Sequence, residues 1–325
     1  MSTTEILIQQ LIIGLSNGMI IALIALGYTM VYGLIELINF AHGDLFMLGA
    51  FCALTILSML GLAPLSPSAE FGSWEWGISL AALFVCVPVF CGAVNWAIEL
   101  LAYRPLRSAP RLVPLVSALG VSFILLNVGL FWGGLPIEAF NFGSSAASPK
   151  DFPLIIPNDN LLGDSSNIVF SSKDLLTLLV TLPILLVLMV VVTKTQFGRA
   201  MRAVAQNPVA ARLVGIPVDR IISLTFILGG ALAGVASIIY SLYNNTVFFQ
   251  MGYRVGIDAF TAAVLGGIGS LLGSVLGGIL IGLVRALSDQ YIATEWTNTI
   301  VFSLLITVLV FRPSGLLVPA KKEKV

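Results

Sequence analysis

Charge is what this 325-residue sequence has least of: 10% of its residues are Asp, Glu, Lys or Arg, against about 25% in soluble domains. Sixteen basic and sixteen acidic residues cancel to a net charge of zero, so no overall attraction to nucleic acid is expected. Histidine occurs once, as His42, and cysteine three times, as Cys52, Cys86 and Cys91. The cysteines lie inside apolar runs without metal-ligand spacing and read as small core residues. HExxH and the Walker A pattern are both missing, which argues against a metallohydrolase and a P-loop ATP site. No catalytic residue, metal or cofactor is therefore assigned. The opening MSTTEILIQQL has neither a basic n-region nor a small-residue cleavage site, so it reads as the start of the first span.

What remains is apolar: 58% of the residues are hydrophobic, arranged in runs that reach or exceed the ~20 residues a helix needs to cross hydrocarbon. The runs fall at 6–37, 44–63, 77–102, 112–132, 174–193, 221–241, 257–286 and 297–311. Short alternating segments, the mark of a β-barrel, are absent. The fold expected is all-α: a polytopic membrane helical bundle of about 8–10 spans, forming one domain over 1–325. The first and seventh runs are too long for one straight crossing and contain internal glycines. Broken or re-entrant helices are the natural expectation for both.

Lys and Arg in short loops set orientation. Arg104, Arg107 and Arg111 place the loop after the third run in the cytoplasm, and the basic loop 194–220 lies on the same side two spans later. The tail, with Lys321, Lys322 and Lys324, should also be cytoplasmic, yet three single crossings after 220 would put it outside. A hairpin turning near Gly266 to Gly273 removes that conflict. Loops 64–76 and 133–173 then face outward. The second is long, and is either a cover or a lip for an external partner. Trp74, Trp76, Trp132 and Trp296 fall near run boundaries, as interfacial anchors do.

Three motifs carry functional expectations. Residues 38–44, INFAHGD, interrupt the apolar pattern with Asn39, Phe40, His42, Gly43 and Asp44. Ionisable groups at membrane depth are costly, so this break lines or gates a translocation path; alternatively Asn39 and Asp44 cap the second helix. In 266–278, GGIGSLLGSVLGG, Gly266, Gly267, Gly269 and their neighbours allow close helix approach, either in a mobile hairpin beside the pore or in static packing. In 195–220, TQFGRAMRAVAQNPVAARLVGIPVDR, two short helices are expected. Asn207 can cap the second, Pro208 fits its first turn, Gly215 can end it and Pro217 stops continuation. A folded cationic element between two spans suggests docking to a soluble cytoplasmic partner. Glu99 is expected to pair within the Arg104 cluster, and Arg254 with Asp258 four residues on.

Taken in order, GLSNGMIIALIALGYTMVYGLIELINFAHGDLFMLGAF at 14–51, YRPLR at 103–107, FGRAMRAVAQNPVAARLVGIPVDRIISLTF at 197–226, AAVLGGIGSLLGSVLGGILIGL at 262–283 and FRPSGLL at 311–317 resemble ABC importer permeases of the branched-chain amino-acid type. The resemblance implies a second related permease subunit, two cytoplasmic ATP-binding subunits and an external substrate-binding protein, in the lipid of a bacterial cytoplasmic (inner) membrane. It maps the ATPase-coupling motif onto Ala203, Ala205, Ala210, Ala211 and Gly215, flanked by Arg199 and Arg202. The small-molecule substrate it implies is leucine, isoleucine, valine or another neutral amino acid, with urea and short-chain amides as alternatives. A self-sufficient secondary transporter is the reading from another class; it needs ion-coupling groups deep in the membrane, and few are present.

Overall fold

The computed structural model describes residues 2–37, 39–62, 72–107, 109–110, 112–143, 145–163, 166–312 and 315–317. Ile38 of INFAHGD, most of loop 64–76, and Arg111, Asp164, Lys321, Lys322 and Lys324 lie outside the described residues. Among the described residues eleven α-helices follow one another: α1 (Thr3–Ile35), α2 (Ala41–Met59), α3 (Trp74–Ile98), α4 (Leu112–Gly133), α5 (Ser172–Lys194), α6 (Gln196–Gln206), α7 (Pro208–Leu213), α8 (Val218–Asn244), α9 (Met251–Gly266), α10 (Leu271–Tyr291) and α11 (Thr294–Phe311). Eight of the described helical segments are long and apolar enough to cross a membrane.

The first run is not broken. α1 is one continuous helix of 33 residues, about 50 Å long at 1.5 Å per residue. Ser2 and Glu5 start it with a reciprocal capping box, and Glu36 ends it in a left-handed conformation at φ 52°. Its glycines serve approach rather than interruption. A Cβ on Gly18 would stand 2.7 Å from the Cα of Ile279, and one on Gly14 would stand 2.8 Å from the Cα of Leu283. α1 is therefore the central post of the bundle, with α10 laid against it backbone to backbone.

The seventh run is broken as expected. α9 stops at Gly266, the chain turns through Gly267 (φ 103°) and Gly269 (φ 92°), and α10 begins after Ser270. Both φ values lie where a side chain is strained and glycine is not. Ser270 Oγ accepts from the Gly273 N–H at 3.1 Å and caps α10. At 16 residues, α9 covers only about 24 Å, a shortened crossing.

Contacts orient the helices. Near the start of α1, the Gln9 side chain exchanges hydrogen bonds with the Val169 backbone at 3.1 and 2.8 Å, joining the long 133–173 loop. Its other end lines a cavity with Ala205 and Arg212 of the basic elbow. After α11, the Leu316 N–H donates to the Leu265 carbonyl at 3.0 Å and the Leu317 N–H to Gly266 at 3.3 Å, covering the cytoplasmic end of α9. Counting α9 as a crossing makes nine passes, the odd number that the basic-loop expectation requires.

The long outer loop is folded. Phe140, Phe152, Ile155 and Ile156 are buried, and Phe140 packs on Phe51 of α2. Strand β1 (Lys150–Asp151) pairs antiparallel with β2 (Thr246–Val247) in the α8–α9 connection. The buried Lys150 ammonium donates to the carbonyls of Phe140 and Ser145, and its desolvation lowers its pKa. Of the four tryptophans expected at the interface, Trp74 and Trp296 are exposed. Trp76 and Trp132 instead bond inward, to the Ile155 carbonyl at 2.9 Å and Thr55 Oγ1 at 3.0 Å. Of the cysteines expected in the core, Cys91 is buried, Cys52 half-buried and Cys86 exposed on α3.

Candidate functional site

The INFAHGD motif is the return segment between α1 and α2. Its amides do not cap α2: Phe40 is the N-cap residue, without a side-chain cap bond. The Asn39 side chain instead enters a buried network. Its Oδ1 accepts from the Tyr103 hydroxyl at 2.7 Å, its Nδ2 donates to Asn95 Oδ1 at 3.4 Å, and Asn95 Nδ2 donates to the Phe226 carbonyl at 2.7 Å. One return segment is thereby tied to α3, to the π-turn at Glu99–Tyr103 that prolongs α3, and to α8. The capping alternative is thus replaced by cross-helix bonding, because buried amides at this depth have no water to satisfy them.

Asp44, within the first turn of α2, accepts from the Ser122 hydroxyl of α4. His42 is buried, with its ring edge-to-face on Tyr28 at 4.7 Å and seated against Gly27, where a Cβ would collide with it. No group among the described residues meets full hydrogen-bond geometry at either of its nitrogens, although the Ile24 backbone lies close enough to act on the ring. His42 and Asp44 are not hydrogen-bonded to each other. Gly43 crosses α9, where its Cβ would stand 2.9 Å from the Gly256 Cα. Phe40 faces Phe260 of the same helix at 6.5 Å.

α9 joins this junction to the glycine hairpin. Gly266 and Gly273 touch backbone to backbone, as do Gly277 and Ala262. The turn reaches the lower end of α1, where a Cβ on Gly33 would stand 3.2 Å from Gly269. The two sequence motifs therefore bracket one short helix. Gly266 is close-packed on Gly273, whereas a Cβ on Gly269 would meet open space, and Gly269 lines a small cavity with Gly33, Arg202 and Ala205.

On the cytoplasmic side α5 turns sharply into α6. Thr195 caps α6 by accepting from the Gly198 N–H at 3.3 Å, and Arg202 donates to the Val192 carbonyl at the end of α5. Asn207 Oδ1 accepts from the N–H groups of Val209 and Ala210, each at 3.0 Å, with Pro208 at the first position of α7. Gly215 at φ 84° ends it, and the Ile216 N–H returns to the Ala211 carbonyl at 3.0 Å. Of the residues assigned to the coupling motif, Arg199, Arg202, Ala205, Ala210 and Gly215 are exposed, Ala203 is half-buried and Ala211 is buried against the bundle. Sequence reasoning missed the apolar tip: Val209, Leu213 and Val214 are 68%, 85% and 76% exposed.

Behind the elbow lies an ion-pair cluster. Arg107 bonds the fully buried Glu99 and, at 2.6 Å, Asp219 at the start of α8. Glu99 also accepts from Ser223 at 2.7 Å. Glu99 was expected to pair in this region; Asp219 and Ser223 were not foreseen, since nothing local marks a charge whose partner is more than a hundred residues away. The expected Arg254–Asp258 pair on one face of α9 does not form: Asp258 pairs with Arg285 of α10 at 2.5 Å.

These features define a helical membrane protein with a folded basic elbow between two of its spans, and the family follows from comparison. A sequence model described as "Branched-chain amino acid transport system / permease component" matches residues 10–309. The chain is 38% identical over 323 residues to the "High-affinity branched-chain amino acid transport system permease protein BraD" of Pseudomonas aeruginosa, covering 98% of each. It is 37% identical to the permease proteins LivH of Salmonella typhimurium and of Escherichia coli, covering 98% of this chain and 97% of theirs. No solved structure matches it. The chain belongs to the branched-chain amino acid permease family; it is a transport subunit and not an enzyme.

Proposed function

We propose that this chain is one of two membrane-spanning permease subunits of an ATP-driven importer of branched-chain amino acids in a bacterial cytoplasmic membrane. Its relatives carry that substrate class in their names, and a secondary transporter has no need of the docking element on α6 and α7. The observation that carries the reading is the tip of α7. Val209, Leu213 and Val214 stand in solvent on a helix capped at both ends, in a protein whose other apolar faces can be covered by lipid or by the bundle. An apolar tip flanked by Arg199, Arg212 and Arg220 suits a cleft on a soluble ATPase, with Ala205 and Ala210 permitting close approach.

In this reading one ATP-binding subunit grips each permease elbow, and an external binding protein delivers substrate to the face formed by the 133–173 loop. Force on the elbow reaches the bundle by two routes: through Arg107 and Asp219 into α3 and α8, and through the lower end of α1 into the Gly267–Gly269 turn. The junction of Asn39, Phe40, His42, Gly43 and Asp44 and the hairpin at Gly266, Gly267 and Gly269 bracket α9. They act as the gate whose rearrangement opens the path from one side to the other.

The test is purification of the tagged chain from its native membrane in mild detergent, followed by leucine uptake in proteoliposomes. Co-purification of a second permease-like chain and P-loop ATPases, with uptake that requires ATP and an added binding protein, is expected. Uptake by this chain alone, without ATP, would overturn the reading.

A further inference from the structure

A cavity of about 470 Å³ lies toward the outer side of the bundle, walled by α1, α8, α9 and α10. Its volume is within the range of small-molecule sites, roughly 300–1,000 Å³. Its walls carry four formal charges: Arg254 and Asp258 on α9, Arg285 and Asp289 on α10. Two positive and two negative groups leave it neutral overall while strongly polar inside. The remaining lining is mixed: Ile13, Ile20 and Ile21 of α1 and Val255 of α9 give an aliphatic strip, beside the polar Asn17, Tyr240 and Asn244.

The four charges are not equivalent. Asp258 and Arg285 satisfy each other, and Arg285 also donates to Asn298 at 2.8 Å. That pair is a strut between α9, α10 and α11, although the buried Arg285 Nε has no partner among the described residues. Asp289 accepts one hydroxyl, from Thr297, leaving further oxygen lone pairs open. Arg254 is exposed and makes no hydrogen bond or ion pair among the described residues. A guanidinium offers five donors in a planar fork matched to a carboxylate. The cavity thus presents an uncommitted carboxylate-binding group, a carboxylate able to take an ammonium, and an aliphatic strip.

Resting on the transport reading above, we infer that this cavity is an entry subsite for an α-amino-acid zwitterion. Arg254 takes the carboxylate, Asp289 takes the ammonium, and the aliphatic strip of α1 receives the side chain. The assignment selects the substrate class. Urea or a short amide is uncharged and leaves Arg254 and Asp289 without partners, whereas leucine, isoleucine or valine engages all three features. Because three of the four walls are α1, α9 and α10, an occupant here also rests on the helices that run down to the glycine hairpin.

The test uses the intact importer in lipid nanodiscs, without binding protein, and equilibrium binding of radiolabelled leucine, with leucinamide and 4-methylpentanoate as competitors. Saturable binding is expected. Arg254→Ala should weaken it at least about tenfold, the scale on which a lost charged partner acts, and Arg254→Lys should restore part. Leucinamide should compete about tenfold less well than leucine against the unmodified importer and equally well against Arg254→Ala. Asp289→Asn, at a second position, should weaken leucine and abolish discrimination against 4-methylpentanoate. Leucine binding unchanged in both Arg254→Ala and Asp289→Asn overturns the inference, as does absence of leucine binding in an importer that takes up leucine with ATP. An importer that takes up no leucine with ATP and binding protein fails the transport reading instead.

Discussion

Two buried polar side chains illustrate what holds the cytoplasmic half together. Tyr103 donates to Asn39 at 2.7 Å with both side chains buried. Tyr103→Phe removes that donor and leaves the Asn39 oxygen without its short bond, at a cost of about 1–3 kcal/mol. The thermal midpoint in detergent should fall, and adding Asn39→Leu should cost less than the sum of the two single changes, because the pair acts as a unit. Glu99 makes a stronger case. It is fully buried between Arg107 and Ser223, whereas the Asp219 side chain is 44% exposed. Breaking a buried pair from one side costs about 3–5 kcal/mol, while an exposed pair contributes about 1 kcal/mol or less. Glu99→Gln should therefore lower the midpoint well beyond Asp219→Asn; equal shifts would show that solvent reaches Glu99.

At the scale of elements, α7 depends on local chemistry. Six residues are too few for a helix to stand by propensity, and Asn207 satisfies two of its free N–H groups. Asn207→Ala should cost about 1 kcal/mol, confined to this element. Amide exchange at Val209 and Ala210 should accelerate while α8 and α10 are unchanged, and ATP-dependent uptake should fall with insertion intact. Unchanged exchange would mean that packing under Ala211 holds the elbow. This element was legible in the sequence because its signals are adjacent: Asn207, Pro208, Gly215 and Pro217 punctuate one short stretch. The hairpin was legible for a different reason, since glycines and the parity of basic loops pointed to the same turn. α1 was not, because the glycines that break the seventh run look the same, in sequence, as those that let α10 lie against α1. Nor were the Asn39 partners, which lie 56 and 64 residues away. Arg254 and Asp258 had the right spacing to pair, yet Arg285 on the facing helix takes Asp258 and leaves Arg254 to the cavity.

The whole molecule turns on whether α9 crosses. At 16 residues it is shorter than every segment that qualifies as a span, and without it eight passes would put both ends of the chain on one side. With it, the start of α1 lies outside beside the 160s loop, and the last described residues, Leu316 and Leu317, lie on the opposite side, bonding the last carbonyls of α9. A short helix can cross here because its flanks are protein: α2 covers its upper end at Gly43, and the chain after α11 covers its lower end. Irregular backbone at those depths meets hydrogen-bonding partners instead of lipid. Single cysteines in a cysteine-free background should reveal the arrangement. Ser2→Cys and Asp159→Cys should react with a membrane-impermeant maleimide on intact cells. Val214→Cys, at a position 76% exposed, and Leu317→Cys, at one 44% exposed, should react only after the membrane is opened. Labelling of Leu317→Cys from outside, with Val214→Cys still protected, would mean that α9 turns back to the outer face and that the hairpin does not link the elbow to the path.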